Sequence, residues 1–335
     1  MSEKRVVAVT GGSGFLGSHL TRRLLASGHS VAVLVRDPAK LGPLGLEPTT
    51  VVTGDIRDSE AVGRLVEGAD AVIHTVSNFR TARQPRAEAV GVNVDGTRTA
   101  LEQAERAGVG RFIHCSTIGV HGDVKVTPAN EEAPFGPGDE YQETKLEAEE
   151  VVRPRIGATP MGMTILRPGS MYGPGDMRML KMFRMLASRR FMMLGPCEEN
   201  FHAVYIDDVV DGFLLALDNP AAVGETFLIA GAHYLPLRDY IAAAARAVGA
   251  PMPWLRLPYA PMHLAAVVCE GSCKPFGIEP PLHVRRVRFF KNNRAFDITK
   301  ARERLGYAPR VDLDEGLART VAWYREQGLL PAAPG

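Results

Sequence analysis

Residues 6–17 read VVAVTGGSGFLG, a short apolar run that leads straight into a glycine-rich turn. The turn has the form Thr-Gly-x-x-Gly-x-x-Gly and is followed by a helical pattern. Strand, turn and helix N-terminus in this order form a binding site for a dinucleotide pyrophosphate, because the glycines allow close backbone approach. The free N–H groups and the helix dipole stabilise the negative charge of the phosphates. The predicted cofactor contacts in this stretch are Gly11, Gly14, Phe15, Leu16 and Gly17.

Composition indicates an ordinary soluble enzyme. The 335 residues are 45% hydrophobic and 23% charged, enough for a large core in one large domain or two. The net charge of +1 suggests neither a nucleic-acid partner nor an anionic membrane. Residues 1–5 lead directly into the first strand, so we expect no signal peptide. The most apolar late segment, 262–269, is far shorter than the roughly 20 residues of a spanning helix.

The four cysteines indicate neither a disulfide framework nor a metal site. Cys269 and Cys273 are four residues apart, but no second pair accompanies them, so we predict no bound metal. A reducing cytoplasm is the simplest compartment for such a chain.

Strand and helix patterns alternate through the first half of the chain. Apolar β-type runs lie at 31–35, 50–53, 71–74, 111–115 and 163–166. Because these runs are continuous and do not alternate, the strands should be covered on both faces, as in a parallel sheet. The pattern, with a long helix at 88–107, predicts a doubly wound α/β fold whose ligand lies at the carboxyl ends of the strands.

The character of the sequence changes after Pro168, where prolines and methionines become frequent. We predict a dinucleotide-binding domain at 1–168 and a smaller, interleaved substrate lobe at 169–202 and 232–330. Residues 203–231 should return to the first domain. Within them, the stretch at 205–206, the helix at 207–217 that follows it and the strand at 227–229 are expected to return to the main sheet.

A second motif, YQETK at 141–145, places a phenol and an amine on one helical face. Tyrosine has a reference pKa of about 10, too high for ready proton exchange near neutrality. A neighbouring ammonium favours the phenolate and lowers that pKa. The two motifs together predict hydride chemistry in which Tyr141 is the acid/base and Lys145 tunes it.

These features resemble the extended short-chain dehydrogenase/reductase superfamily, in particular its epimerase/dehydratase and 3β-hydroxysteroid dehydrogenase-like branches. The resemblance spans nearly the whole chain. Besides the two motifs, matching segments are 54–58 (GDIRD), 93–97 (NVDGT), 116–122 (STIGVHG), 167–168 (RP), 172–176 (YGPGD), 204–208 (VYIDD) and 305–307 (LGY).

The resemblance implies roles for particular residues. Thr117 matches the catalytic hydroxyl, with Ser116 as the rival, and Lys145 also contacts the nicotinamide ribose. Asn93 either orders backbone or water beneath the site or caps the long helix. Family analogy also implies a homodimer paired through the helices near 88–107 and 141–153. The remaining implied cofactor contacts are Asp55 and Ile56 at the adenine, and Pro168.

The end of the second strand bears on cofactor choice. Relatives that use NAD usually carry an acidic residue there for the ribose 2′-OH, whereas this chain has Arg36. A guanidinium suits a 2′-phosphate, so the sequence favours NADP(H). Asp37 comes one residue later and keeps NAD(H) possible.

The substrate is less sharply indicated. Phe201 stands about where nucleotide-sugar relatives carry a diphosphate-binding arginine, and Glu198 and Glu199 would repel a diphosphate. Cationic side chains that remain available for phosphate contacts include Arg178, Arg285, Arg286 and Arg288.

The main prediction is an NAD(P)-dependent oxidoreductase that interconverts a secondary alcohol and a ketone on a small or largely apolar metabolite. The alternative is a nucleotide-sugar 4-epimerase, or a dehydratase, with tightly bound NAD. A third hypothesis is a non-catalytic regulator that senses NADP(H).

Overall fold

The computed structural model describes residues 4–79, 85–273, 276, 278 and 280–332. The strands, in chain order, are β1 (Val6–Thr10), β2 (Ser30–Val35), β3 (Thr50–Thr53), β4 (Ala71–His74), β5 (Arg111–Cys115), β6 (Gly162–Pro168), β7 (Ser170–Tyr172), β8 (Met193–Leu194), β9 (Asn200–Phe201), β10 (Ala203–Tyr205), β11 (Thr226–Ile229), β12 (Leu235–Pro236) and β13 (Arg256–Leu257).

The helices, in chain order, are α1 (Phe15–Ala26), α2 (Ser59–Val66), α3 (Arg86–Val90), α4 (Gly96–Arg106), α5 (Glu140–Val152), α6 (Leu180–Ala187), α7 (Ile206–Asp218), α8 (Leu237–Val248), α9 (Tyr259–Cys273), α10 (Val284–Arg288), α11 (Thr299–Leu305) and α12 (Leu313–Glu326). A π-helical turn, Gly91–Asp95, joins α3 to α4, so residues 86–106 form one continuous helical segment.

Seven strands form one parallel sheet in the order β11-β6-β5-β4-β1-β2-β3. The interiors of the strands other than edge strand β3 are almost wholly buried because helices cover both faces, which accounts for their continuous apolar runs. The predicted doubly wound fold is therefore confirmed. Between β1 and β4 the chain connections depart in opposite directions, and a crevice at the carboxyl ends of such strands is where this fold binds ligands.

One strand prediction was wrong. Strand β11 joins the main sheet beside β6, as expected, but β10 pairs with β7 in a separate two-stranded sheet. The reason is that β5 and β11 already occupy both edges of β6. The returning chain therefore meets the sheet through α7, whose Phe213 is fully buried.

Apolar side chains fill both sides of the sheet. On one side, Leu20 of α1 and Phe213 of α7 share a cluster with lobe residues, among them Phe183, Tyr240 and Tyr324. The other side is closed by α2 and α4. A third, small cluster of Leu194, Ala266 and Val287 lies under α9 and α10. Within the described ranges, no helix combines the length and apolar character needed to cross a membrane.

Candidate active site

The glycine turn between β1 and α1 has the geometry of a phosphate cradle. Gly11 adopts a φ of +74°, and its carbonyl accepts a 2.8 Å hydrogen bond from the Gly14 N–H. A Cβ at Gly17 would lie 2.0 Å from the Gly11 oxygen, so only glycine fits there. Helix α1 has no side-chain cap and no acidic residue in its first turn, which leaves its N–H groups for an anion. These residues fit a dinucleotide pyrophosphate.

The ends of β2 and β3 carry the residues that the sequence places at the adenine and its ribose. Arg36 is exposed, whereas the Asp37 carboxylate accepts a 3.1 Å hydrogen bond from the Ala39 N–H and so caps a short 3₁₀ helix. Asp55 is paired with Arg57 through contacts of 2.8 and 3.1 Å. The Arg57 guanidinium is the largest influence on the Asp55 pKa and lowers it, with a smaller contribution from Arg36. Ile56 is buried.

The Tyr141–Lys145 pair lies on α5, which is capped by Asp139 through a 3.0 Å bond from the Gln142 N–H. Lys145 is buried, and its Nζ donates a 2.6 Å hydrogen bond to the Cys115 carbonyl at the end of β5. Burial lowers the Lys145 pKa, while Cys115 and Glu149 act in the opposite direction. The amine is thus fixed at the carboxyl edge of the sheet, one turn from the Tyr141 phenol.

Burial raises the pKa of Tyr141 above its ordinary value. A hydrogen bond from the Ser77 side chain and the charges of Arg178 and Arg285 act in the opposite direction. Lys145, expected from the sequence to lower this pKa, is not among the largest influences on it. No sequence pattern indicates Ser77, which follows β4 in a stretch with no motif of its own.

The two hydroxyls after β5 have different surroundings. Ser116 Oγ donates to the carboxylate of Glu149, which is fully buried. Thr117 is partly exposed, and its Oγ1 accepts a 3.0 Å hydrogen bond from the Gly119 N–H. Among the described residues none accepts a hydrogen bond from the Thr117 hydroxyl, so its proton can be donated to a ligand, whereas the Ser116 proton is donated to buried Glu149.

Glu149 is the centre of a buried charge network behind the site. Arg167, at the end of β6, forms a two-point ion pair with it, with Nε–Oε1 and Nη2–Oε2 distances of 2.9 and 2.7 Å. Arg153 also contacts Glu149. Burial is the largest influence on the Glu149 pKa and raises it, but these partners and Ser116 together hold the pKa below its usual value. Pro168 follows Arg167 and is buried.

Asn93 lies inside the π-helical turn, so its alternative role as a helix cap was wrong. Its Oδ1 accepts a 2.6 Å bond from the Asn78 N–H, and its Nδ2 donates a 2.9 Å bond to Thr144 Oγ1. The buried amide thereby joins the loop that carries Ser77 to the helix that carries Tyr141. In the part of the chain that the structure describes, no cluster of His, Cys, Asp and Glu side chains is suited to a metal ion.

The model of the NAD dependent epimerase/dehydratase family matches residues 7–230. The chain is 30% identical to 3-beta-hydroxysteroid dehydrogenase of Mycolicibacterium neoaurum, over 97% of this chain and 95% of that protein. It is 31% identical to UDP-glucose 4-epimerase of Mycolicibacterium smegmatis, over 95% of this chain and 98% of that protein.

Among solved structures, the chain is similar to DesIV, the dTDP-glucose 4,6-dehydratase of Streptomyces venezuelae with NAD and TYD bound. The TM-score is 0.76 at 28% identity, over 96% of this chain and 97% of that one. These similarities confirm the predicted superfamily. They include dehydrogenases and epimerases alike.

Proposed function

Because the chain belongs to the NAD dependent epimerase/dehydratase family, we propose that it is an oxidoreductase that interconverts a secondary alcohol and a ketone. The observation that carries this proposal is the position of Tyr141 and Lys145. They lie one helical turn apart on α5, at the same carboxyl edge of the sheet as the glycine turn. When bound in that crevice, a nicotinamide nucleotide supplies the acceptor or donor of hydride.

In this proposal Tyr141 takes the alcohol proton during oxidation and returns it during reduction. Thr117 donates its free hydroxyl proton to the substrate oxygen and holds that oxygen toward Tyr141. Lys145, anchored to the Cys115 carbonyl, would contact the cofactor ribose. The similarity to a 3-beta-hydroxysteroid dehydrogenase supports a largely apolar alcohol as substrate.

The test is turnover of a panel of secondary alcohols, 3β-hydroxysteroids included, with NADP⁺ and NAD⁺. We expect Tyr141→Phe to lower kcat/KM by about 10²–10⁴-fold, as loss of a general acid/base does. Tyr259→Phe, which removes a hydroxyl from α9, is the matched control, and its kcat/KM should equal that of the unmodified protein. Tight cofactor binding without turnover of any alcohol would instead favour the NADP(H)-sensing regulator.

We further propose that the cofactor is NADP(H). Arg36 is exposed at the expected ribose end of the crevice. The nearby carboxylates of Asp37 and Asp55 accept hydrogen bonds from the Ala39 N–H and from Arg57. The guanidinium of Arg36 would pair there with the 2′-phosphate of NADP(H).

The second candidate is a nucleotide-sugar 4-epimerase, favoured by the similarity to the Mycolicibacterium smegmatis enzyme. Against it, Phe201 is buried against Tyr240 where the resemblance leads us to expect an arginine. The two functions separate when protein purified without added cofactor is denatured and its released nucleotide is identified by mass. Stoichiometric NAD favours the epimerase, whereas an empty site that prefers NADPH favours the oxidoreductase.

A further inference from the structure

The side chain of Phe79 packs against the ring of Tyr141. The two ring centres lie 4.7 Å apart at an interplanar angle of 56°, an arrangement in which aromatic side chains attract one another. Tyr141 is only partly buried, so Phe79 covers part of a ring that solvent would otherwise reach. Phe79 is itself 46% exposed. Core packing therefore does not hold Phe79 in place, and its position depends on a few specific contacts.

A guanidinium group contacts Phe79 from α10. The Arg285 guanidinium carbon lies 4.1 Å from the Phe79 ring centre and 5.9 Å from the Tyr141 ring centre. At the shorter distance a cation is attracted to the negative face of an aromatic ring. Arg285 Nε also pairs with Asp139 Oδ2 at 2.8 Å, and Asp139 caps α5. Phe79 therefore lies between a side chain of α10 and a side chain of α5.

Hydrogen bonds fix the backbone beside Phe79 relative to Tyr141. The buried Asn93 amide accepts a 2.6 Å bond from the Asn78 N–H and donates a 3.2 Å bond to the Asn78 carbonyl. The same amide donates to Thr144 Oγ1 at 2.9 Å, and the Thr144 hydroxyl donates to the Tyr141 carbonyl at 3.0 Å. Four hydrogen bonds thus connect the residue that precedes Phe79 to the backbone of Tyr141.

We propose that Phe79 is a positioning residue for the acid/base: its ring, held between Arg285 and Tyr141, keeps the phenol in one orientation and shields it from water. The inference rests on the proposed function for the reaction that Tyr141 performs. Phe79 has no group that exchanges a proton or donates to a substrate oxygen, so its effect on the reaction passes through Tyr141. A phenol with one fixed orientation stays aligned with the oxygen that it serves.

Removal of the Phe79 ring should also change the ionisation of Tyr141. Burial raises the Tyr141 pKa, and opening one face of the ring to water weakens this effect. The polar and charged groups around the phenol are Cys115 of β5, Ser77 after β4, Arg178 and Arg285 from beyond the main sheet, and Lys145 one turn along α5. Phe79→Ala removes none of them, and Arg285 keeps its ion pair with Asp139. The Tyr141 pKa should therefore fall in this variant.

The first experiment is a double-mutant cycle on the oxidation of a small neutral secondary alcohol such as 2-butanol. Phe79→Ala should lower kcat about tenfold, the rate equivalent of one aromatic pair, with little change in KM. In a Tyr141→Phe background the same substitution should cause no further loss, because an effect that passes through the phenol disappears with it. Phe79→Trp restores an aromatic ring and should recover most of the activity.

The second experiment measures the exposure of Tyr141 without turnover. Tetranitromethane nitrates the phenolate form of tyrosine, and peptide mass spectrometry locates the product. We expect Tyr141 to react severalfold faster in Phe79→Ala, because its ring is more accessible and its pKa is lower. Tyr259, partly exposed on α9, is the internal reference, and its rate should not change. Phe276→Ala removes a ring that is 76% exposed and is the matched control, in which kcat and Tyr141 nitration should stay the same.

Three results would overturn the proposal: an unchanged kcat in Phe79→Ala, an equal loss in the Tyr141→Phe background, or an unchanged nitration rate of Tyr141. Far-ultraviolet circular dichroism and the melting temperature of each variant establish that it is folded. The two readouts separate this proposal from the proposed function. Faster nitration in a protein that turns over no alcohol contradicts the proposed reaction alone. Tyr141-dependent turnover that Phe79→Ala leaves unchanged contradicts the positioning role alone.

Discussion

Two regions meet at Tyr141, and they are built differently. On the sheet side, Lys145 and Glu149 are buried. The Lys145 amine donates to the Cys115 carbonyl at the end of β5, and the Glu149 carboxylate pairs with Arg167 at the end of β6. On the lobe side, Arg285 projects from the five-residue helix α10, and its support is one partly exposed ion pair with Asp139. Buried ion pairs and hydrogen bonds fix the sheet side, whereas the contacts that hold the lobe side are partly exposed to water.

This difference suggests a division of work. Buried groups that make several hydrogen bonds keep the reacting atoms in place, as acid/base chemistry requires. Helices α9 and α10 pack around a small cluster in which the fully buried members, among the described residues, are Leu194, Ala266 and Val287. This end of the lobe can therefore change with little effect on the sheet. We therefore expect substitutions on the sheet side to alter stability and turnover, and substitutions on the lobe side to alter recognition and pH dependence.

The largest effect should follow from Glu149→Gln. The substitution leaves Arg167 without its buried counter-ion, so the free energy of unfolding should fall by about 3–5 kcal/mol. Urea unfolding followed by circular dichroism measures this change. Glu150→Gln, at the exposed neighbouring position, should leave the unfolding midpoint unchanged. A loss below about 1 kcal/mol would mean that the sheet side is no more rigid than the lobe.

Substitutions of the two hydroxyl residues after β5 should distinguish an effect on catalysis from an effect on stability. Thr117→Val removes the free donor, and kcat/KM should fall about 10²-fold, as for loss of one oxyanion-binding donor. Ser116→Ala removes a bond to a buried carboxylate and should cost about 1–3 kcal/mol of stability while turnover stays near normal. Steady-state kinetics and urea unfolding of both variants provide the measurement. The reverse pattern would make Ser116 the catalytic hydroxyl.

Cofactor discrimination should depend on the sheet side alone. Arg36→Gln removes the exposed guanidinium after β2, so NADPH should bind about tenfold more weakly while NADH binding stays the same. Fluorescence titration with each nucleotide gives both dissociation constants. Arg64→Gln, an exposed arginine on α2, controls for general charge. Equal losses for NADPH and NADH would contradict the assignment of Arg36 to the 2′-phosphate.

What the sequence predicted well was local in the chain. The glycine turn and the Tyr141–Lys145 spacing each lie within one strand–turn–helix or one helical turn, where periodicity fixes geometry. The β10 placement was wrong because strand pairing depends on which sheet edges are already filled, and β11, which comes later in the chain, fills the second edge of β6.

Contacts that arise from tertiary packing alone were missed. Ser77 reaches Tyr141 from the end of β4, and Arg285, which the sequence offered only for phosphate contacts, reaches the Tyr141 ring from α10. No spacing rule links such positions, since tertiary packing alone brings them together. The arginines at 285, 286 and 288 looked equivalent in the sequence, and only the fold distinguishes Arg285, above Tyr141, from exposed Arg286.

The smallest and most specific effect should be a pH shift caused by Arg285→Gln. Oxidation needs the Tyr141 phenolate, so its rate should rise with pH until the phenol is ionised. Burial raises the pKa of Tyr141 and the charge of Arg285 lowers it, so removal of that charge raises the pKa further. The rising limb of kcat/KM against pH should therefore move to higher pH, by up to about one unit. A neutral secondary alcohol is the substrate of choice, because it carries no titratable group of its own. Arg286→Gln should leave the limb in place, and an unmoved limb in Arg285→Gln would show that the lobe acts on recognition but not on the acid/base itself.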